Sequence, residues 1–250
     1  MTITREEAIR YDRQMHLPVW GADGQERLKA ATVFIAGAGG LGSSCAFYLA
    51  AAGVGSLLIC DYDAVELSNL NRQIVHTTGS VGESKAFSAQ VRLGQLNPAI
   101  SIRAVPEKIT ESNIEDFAAG SDIIVDCLDN IPGRYILNGY CIAKHLPLVY
   151  ASIWGFTGQL SFFWTPETGC FRCMMTTAPP PELFPVVGVT PGIMGALQAT
   201  EVIKYITGIG KIRLNELLIF DGETLSFSWV RLRKNPTCPS CGMPDSKYAA

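Results

Sequence analysis

A glycine-rich turn near the start of the chain offers the chemistry of a phosphate-binding site. The sequence Gly37-Ala-Gly39-Gly40-Leu-Gly42 separates an apolar, β-prone segment from an alanine-rich segment of helical character. Glycines let the backbone approach a phosphate group closely, and the first turn of a helix presents free N–H groups and the positive end of its dipole. Asp61 ends the next β-prone segment, where a carboxylate can accept hydrogen bonds from ribose hydroxyls. Together these features predict a nucleotide-binding site.

Polar residues beyond the second predicted strand favour a nucleoside triphosphate. The loop there contains Asn69, Arg72 and Gln73, Lys85 begins the next predicted helix, and Asp129 comes just after a later predicted strand. Two cations, amide donors and one carboxylate suit a triphosphate with Mg²⁺ better than a dinucleotide pyrophosphate. Each charge taken singly is more simply explained as a solvated surface group, so the prediction requires that they meet at one edge of the fold.

An NAD-dependent oxidoreductase is the alternative that a glycine turn leaves open. Such an enzyme usually devotes its remaining length to a catalytic domain with a proton donor, whereas this chain has only three histidines. The cations of the loop also argue for a triphosphate, so we expect ATP rather than NAD. Identifying the bound nucleotide distinguishes the two.

Two CxxC pairs predict a metal site. Cys170 and Cys173 form the first pair, and Cys238 and Cys241 form the second. Four thiolates close a tetrahedral zinc site and leave no open position, so the zinc is expected to be structural. The alternatives are four ordinary reduced cysteines or a redox motif. The remaining cysteines lie in apolar surroundings and are expected to be buried: Cys45, Cys60, Cys127 and Cys141.

The composition excludes several classes of protein. Of the 250 residues, 48% are hydrophobic and 17% charged, which excludes a disordered or fibrous chain. The formal charge of −3 argues against a nucleic-acid binder. The uncharged stretch 32–60 is interrupted by six glycines, which argues against a membrane span. With no secretory signal at its start, the chain is expected to be cytoplasmic.

The elements that must position these residues alternate between strand and helix. The predicted strands are 32–36, 56–61, 100–105, 122–127 and 146–151, and the predicted helices are 4–13, 24–30, 41–52, 84–96, 111–119 and 132–144. This alternation predicts an α/β fold with a Rossmann-like, doubly wound, mostly parallel sheet. Beyond 152 the pattern changes: 158–165, 214–220 and 225–232 are β-prone, the latter two flanking a hairpin turn, and 192–207 is helical. We therefore expect one continuous domain, 1–250, with a nucleotide-binding part (1–151) and a smaller antiparallel C-terminal lobe with the zinc site (152–250).

Several motifs, in order, resemble the MoeB/ThiF/HesA family, the bacterial and archaeal relatives of ubiquitin-activating enzymes. The resemblance covers nearly the whole chain. It rests on Arg13-Gln14, the glycine turn, 61–73 (DYDAVELSNLNRQ), Gly82-Glu-Ser-Lys85, Asn97-Pro98, 126–130 (DCLDN), both CxxC pairs and Gly195-Ala-Leu-Gln198.

The resemblance implies an adenylyltransferase that acts on a small ubiquitin-like sulfur-carrier protein of the MoaD/ThiS type, which ends in Gly-Gly. The carrier's terminal carboxylate attacks the α-phosphate of ATP, so that an acyl-adenylate forms and pyrophosphate leaves. A separate sulfur donor then makes the thiocarboxylate. The resemblance does not separate molybdopterin from thiamine pathways. A non-catalytic partner that binds a ubiquitin-like protein is the other alternative, although such a partner has no need of Arg72, Lys85 and Asp129.

The resemblance also implies roles for individual residues. The glycine turn contacts the nucleotide, Asp61 binds the ribose, and Asp129 binds Mg²⁺. Arg13 matches an arginine that reaches the triphosphate of the other subunit, which implies a homodimer. The phosphate contacts come from Asn69, Arg72, Gln73 and Lys85.

One feature departs from the family pattern. Many members carry a further cysteine in a crossover loop just before a Gly-Val pair, where it can link covalently to the carrier. Here the corresponding stretch, 181–189, contains no cysteine, and Phe184 stands near that place. We therefore expect adenylation without a covalent cysteine step. The aromatic residues of 156–164 are expected to divide between the core and the carrier-binding surface.

Overall fold

The first half of the chain folds as regularly alternating strands and helices. The structure, a computed structural model, describes residues 2–177 and 185–242. Its strands are β1 (Thr32–Ala36), β2 (Ser56–Cys60), β3 (Ser101–Val105), β4 (Ile123–Asp126), β5 (Leu148–Trp154), β6 (Thr157–Phe163), β7 (Glu216–Asp221) and β8 (Ser226–Arg231). Its helices are α1 (Arg5–Arg10), α2 (Asp12–Met15), α3 (Gly21–Ala30), α4 (Gly40–Ala52), α5 (Lys85–Leu96), α6 (Ile114–Ala118), α7 (Ile131–Lys144), α8 (Phe171–Met174) and α9 (Val189–Thr207).

All eight strands belong to one sheet. Their spatial order is β3-β2-β1-β4-β5-β6-β7-β8. The first five are parallel, and β6, β7 and β8 continue the sheet in antiparallel pairs. This confirms the predicted mostly parallel sheet with an antiparallel C-terminal continuation. The order reverses between β1 and β4, and such a reversal opens a crevice at the carboxyl ends of the strands where ligands bind.

The sheet is covered on both faces as far as β7, whereas all six residues of β8 are exposed. Phe162 and Phe163 are neighbours on β6 and point to opposite faces, yet both are buried, at 2% and 5% exposure. Phe162 packs against Tyr205 of α9, and Phe163 packs against Phe171 of α8. Phe156 stays 42% exposed, so the predicted division of these aromatics between core and surface is confirmed.

Element boundaries differ from prediction where tertiary contacts intervene. The predicted helix 4–13 is two helices, interrupted where the buried Tyr11 accepts a hydrogen bond from Asn97 Nδ2 at 2.8 Å. The predicted helix 111–119 is short because Asn113 Oδ1 accepts from the backbone of Thr110 and forms a turn. The strand predicted at 146–151 starts at Leu148 and runs on to Trp154 because β6 pairs along its full length. Among the described residues we find no helix long and apolar enough to span a bilayer.

Candidate functional site

The glycine turn joins β1 to α4, and two of its glycines are required by close backbone packing. Gly37 has φ +100°, and a Cβ there would lie 2.7 Å from the carbonyl oxygen of Cys127. A Cβ on Gly42 would lie 1.9 Å from the carbonyl oxygen of Gly37. Gly39 is different, because the nearest atom to its Cβ position is Gln73 Nε2 at 3.8 Å. Space therefore remains beside Gly39, at the N-cap of α4, where the free N–H groups of the helix point.

Asp61 is joined directly to this turn. Its Oδ2 accepts from the backbone N–H of Ala38 at 2.8 Å, and its Oδ1 accepts from the N–H of Asp63 at 2.9 Å. Burial raises the pKa of Asp61, although these two N–H groups and the charge of Lys85 oppose the rise. The carboxylate is thus held at the carboxyl end of β2, next to the open space of the turn.

Lys85 reaches the same place from the start of α5. We call this edge of the sheet, formed by the glycine turn, Asp61, Asp63, Lys85 and Asp129, the rim. Its Nζ lies 2.9 Å from Asp63 Oδ2, and its side chain is only 9% exposed. The sequence analysis did not identify Asp63 as its partner, because the two residues are 22 positions apart in the chain.

Asp129 lies on this rim as well, beyond the end of β4. It is exposed, and its charge contributes to raising the pKa of Tyr62, after the larger effects of Asp63 and of burial. Asp63 and Asp129 follow the carboxyl ends of β2 and β4, the two parallel strands that flank β1, so both lie at the same edge of the sheet. The rim therefore combines an open glycine turn, a buried lysine and carboxylates from two strand ends.

The loop after β2 brings the amide of Gln73 close to the turn, whereas Asn69 and Arg72 make their hydrogen bonds within the loop. Asn69 and Gln73 are buried at 7% and 5% exposure, and Gln73 Oε1 has no hydrogen-bond partner among the described residues. Arg72 donates to the carbonyl oxygen of Ser68 at 3.0 Å and to Asn71 Oδ1 at 2.9 Å. Both contacts are made by Nη1 alone, so reaching a ligand does not require the whole guanidinium to be released.

Arg13 is not brought to this rim within one chain. The neighbouring Gln14 donates to the carbonyl oxygen of Ala52, at the C-terminal end of α4. Since α4 begins at the glycine turn and has 13 residues, its ends are about 20 Å apart. Arg13 therefore lies at the end of the helix that is remote from its own turn.

The segment that follows residues 178–184 packs beside the polar loop. The backbone N–H of Gly155 donates to the carbonyl oxygen of Pro185 at 2.8 Å, and Thr190 Oγ1 donates to the carbonyl oxygen of Gly155 at 2.8 Å. A Cβ on Gly188 would lie 2.2 Å from the carbonyl oxygen of Asn71. The predicted absence of a covalent step concerns Phe184, which lies outside the described residues.

The four CxxC thiols converge as a metal site requires. Their sulfur atoms all lie within 4.8 Å of one another, with 3.6 Å between Cys170 and Cys238 and 3.4 Å between Cys173 and Cys241. Tetrahedral zinc with Zn–S bonds of 2.3 Å separates its sulfurs by about 3.8 Å, so the cluster fits zinc. The backbone N–H of Asn235 also donates to the sulfur of Cys173. The other four cysteines are buried, as predicted.

A buried histidine that the sequence analysis left unassigned supports the glycine turn. His76 Nε2 lies 3.0 Å from the carbonyl oxygen of Ala38, and its Nδ1 lies 2.9 Å from Ser88 Oγ on α5. Burial lowers the pKa of His76, so a neutral ring donates from Nε2 to Ala38 and accepts from Ser88. The ring thus links the turn to the helix that carries Lys85. The only sequence signal for this supporting role of His76 is its position three residues after Gln73.

Comparisons with known proteins agree with this geometry. A family model described as the ThiF family matches residues 11–240. A Thermus thermophilus protein named sulfur carrier protein adenylyltransferase is 44% identical over 253 residues, covering 97% of this chain and 93% of that protein. The Mus musculus protein named adenylyltransferase and sulfurtransferase MOCS3 is 43% identical over 247 residues, but this chain covers only 54% of it. A crystal structure of E. coli MccB with ATP has a TM-score of 0.81 and 25% identity, with coverage of 93% of this chain and 74% of that chain.

Proposed function

The chain belongs to the ThiF family, and we propose from that premise that it uses ATP to adenylate the C-terminal carboxylate of a small ubiquitin-like sulfur-carrier protein. The names of its relatives support an adenylyltransferase and favour it over an NAD-dependent oxidoreductase or a non-catalytic partner. The carrier carries sulfur for molybdopterin, thiamine or a related product, and its Gly-Gly end is the reacting group.

One observation carries the proposal: the open space at Gly39 faces a rim that holds Asp61, Lys85 and Asp129. A carboxylate oxygen of the carrier attacks the α-phosphorus, the bond from that phosphorus to the pyrophosphate oxygen breaks, and acyl-adenylate and pyrophosphate form. This reaction needs positioning and charge neutralisation rather than a protein nucleophile. The rim supplies both.

The proposed roles of individual residues are assigned from their positions in the rim. Gly37, Gly39, Gly40 and Gly42 shape the turn against the phosphates, and Asp61 accepts from the ribose. Lys85 neutralises developing charge on the phosphates, with Asn69 and Gln73 donating amide hydrogen bonds. Arg72 adds a second cation to the phosphates.

The carboxylates of the rim support a need for Mg²⁺. Asp61, Asp63 and Asp129 stand against Lys85, a balance that disfavours a bare triphosphate. Asp129 would hold Mg²⁺, which would offset part of the negative charge of the triphosphate. Asp129 is exposed and has no ion-pair partner among the described residues, which suits it to this role.

The remaining parts of the chain divide the other tasks. Residues 1–151 bind the nucleotide, while 152–250 bind the carrier and hold zinc through Cys170, Cys173, Cys238 and Cys241. The chain acts as a homodimer in which Arg13 of one copy enters the site of the other, since it cannot reach its own. The reduced CxxC pairs suit a cytoplasmic location.

The sulfur comes from a separate donor. Residues 181–189 hold no cysteine, so no covalent link to the carrier forms there. Acyl-adenylate is therefore the product that this chain delivers.

The test is ATP–pyrophosphate exchange measured against a panel of Gly-Gly carriers of the MoaD and ThiS types. Exchange is expected with one carrier, only in the presence of Mg²⁺, and not with that carrier lacking its terminal glycine. D129A should abolish it. Absence of exchange with every carrier, or bound NAD in the purified protein, would refute the proposal.

A further inference from the structure

Among the described residues, the most deeply buried charges lie directly beside the rim. Asp126, the last residue of β4, is 0% exposed, and Arg134, in the first turns of α7, is 5% exposed. Taking two charges out of water is costly, and a buried ion pair often adds nothing to stability compared with apolar residues of the same size. Such a pair needs an explanation other than packing.

The hydrogen bonds of the pair go mainly to the backbone of Leu128. Asp126 Oδ1 accepts from the N–H of Leu128 at 3.0 Å, and Arg134 Nη2 donates to the carbonyl oxygen of Leu128. Arg134 Nη2 also donates to the carbonyl oxygen of Ala151 on β5 at 3.0 Å. Leu128 is therefore held at both of its peptide groups by two charged side chains.

The two charges are in contact without bonding strongly to each other. Arg134 Nε and Asp126 Oδ2 are 3.6 Å apart, and neither atom has a hydrogen-bond partner among the described residues. The guanidinium also lies over the ring of Tyr150, 4.8 Å from its centre. If charge neutralisation were the purpose of the pair, a direct, short bond would be expected in place of the contacts to Leu128.

The residue that follows Leu128 is the exposed Asp129. On its other side, Asn130 caps α7 by accepting from the N–H of Gly133 at 2.9 Å. Asp129 thus stands between a doubly held peptide and a capped helix, and its backbone has little freedom although its side chain is exposed. A metal-binding carboxylate gains affinity when its position is fixed before the metal arrives.

We propose that Asp126 and Arg134 are positioning residues that fix Leu128 and thereby set the strength of Mg²⁺ binding at Asp129. The inference rests on the proposed role of Asp129. It explains why two charges are buried beside the rim although neither is a proposed ligand of the nucleotide or the metal. It predicts that loosening the pair weakens the metal without removing the metal ligand.

The experiment measures ATP binding to the purified chain at a series of Mg²⁺ concentrations, with no carrier present. D126N keeps an acceptor for Leu128 but leaves Arg134 unpaired, and the double variant D126N/R134Q removes both charges, so that no unpaired charge stays buried. Both are expected to raise the Mg²⁺ concentration at half-maximal binding roughly tenfold, by analogy with outer-shell residues of metal sites. At saturating Mg²⁺, ATP should bind as in the wild type.

The matched control is L217A, which removes a buried side chain of β7 on the same face of the sheet. It lowers stability through lost packing but should leave the Mg²⁺ dependence unchanged. A shift in L217A equal to that in the double variant, or no shift in either pair variant, overturns the proposal. A wild type that binds Mg²⁺-dependent ATP yet exchanges no pyrophosphate refutes the carrier activity alone and leaves this test intact.

Discussion

At the scale of single residues, several side chains of the site are held by partners far away in sequence. Lys85 contacts Asp63, and His76 connects the carbonyl oxygen of Ala38 with Ser88 of α5. These contacts connect loop residues to α5 and to the glycine turn. Tertiary contacts therefore hold Lys85 and the glycine turn in place.

His76 makes stability depend on pH in a predictable direction. Burial lowers the pKa of His76 below 6.5 in the folded chain. As the pH falls, the unfolded chain therefore binds a proton at His76 at a higher pH than the folded chain does. The free energy of unfolding should therefore fall as the pH falls below about 6.5. H76Q keeps a donor for Ala38 but cannot titrate, so its stability should decline less over the same range, at a cost of about 1 kcal/mol at pH 7 from the lost Ser88 bond.

Urea unfolding at several pH values between 7 and 5 measures this difference. H16Q serves as the control, because the side chain of His16 is 73% exposed rather than buried. H16Q should follow the wild type throughout. Equal pH slopes for H76Q and the wild type would contradict a neutral, buried His76.

The sequence reveals residue types more readily than it reveals contacts. Gly39 and Asp61 could be predicted because a turn between strand and helix, and an acid at a strand end, are local patterns. The Asp126–Arg134 pair could not be predicted, because no local sequence pattern shows that both side chains are buried and hydrogen-bonded to the backbone of Leu128. Arg13 shows a different limit: resemblance supplies its role, but only the structure shows how far it lies from its own glycine turn.

At the scale of elements, the glycine turn separates a folding role from a binding role. A Cβ at Gly39 has no atom closer than 3.8 Å, so G39A should fold with nearly wild-type stability. The added methyl fills space needed by the phosphates, so ATP affinity should drop by tenfold or more. G42A should instead be destabilised by about 3 kcal/mol or more, because its Cβ overlaps the backbone of Gly37.

Thermal unfolding and ATP binding together decide between these outcomes. The two variants should separate cleanly, one losing affinity and the other losing stability. If G39A bound ATP as well as the wild type, the nucleotide would have to lie elsewhere than beside this turn.

The zinc cluster connects the end of the described chain to α8. Cys238 and Cys241 follow β8, while Cys170 and Cys173 flank the start of α8, whose Phe171 N–H donates to Asn138 of α7. C241S should lose the metal and lower the free energy of unfolding by about 3 kcal/mol, comparable with the loss of a cross-link.

Metal analysis of the purified protein gives the direct readout. One zinc per chain is expected for the wild type and for C45S, which alters a buried cysteine outside the cluster. Full zinc content in C241S would argue against the cluster as the metal site.

The ends of strands and helices could be predicted where local sequence signals determine them. They differ from the prediction where tertiary packing determines them. The strands β1 and β2 lie where apolar runs predict them, within one residue. The strand β5 outruns its predicted end because β6 pairs with all seven of its residues, a contact no local pattern encodes.

At the scale of the whole molecule, α9 joins the parallel and antiparallel parts of the sheet. A Cβ on Gly195 would lie 2.3 Å from the carbonyl oxygen of Leu41, so α9 packs directly on α4. Gln198 of α9 donates to the carbonyl oxygens of Asp126 and Val149 at 2.8 and 3.1 Å. One helix thus contacts both the helix that follows the glycine turn and the strand that precedes Asp129, while the N-terminal helices lie at the opposite end of α4.

Because Arg13 lies far from the glycine turn of its own chain, its proposed role requires a second chain. If Arg13 acts across a dimer interface, R13A and K85M homodimers each have two defective sites. Mixed dimers have one intact site, because Lys85 comes from the R13A chain and Arg13 from the K85M chain. Co-expressing the two variants should therefore restore about a quarter of wild-type ATP–pyrophosphate exchange, given random pairing of the chains.

The control is co-expression of K85M with D129A. Lys85 and Asp129 are both expected to serve the site of their own chain, so a mixed dimer cannot combine them into an intact site. Every site in that mixture lacks either Lys85 or Asp129, so no exchange should return. Recovery confined to the R13A mixture supports an arginine supplied by the neighbouring chain, since about 20 Å of α4 separates Arg13 from its own turn. Failure of both mixtures, with dimers present, would mean that Arg13 serves no site in the neighbouring chain.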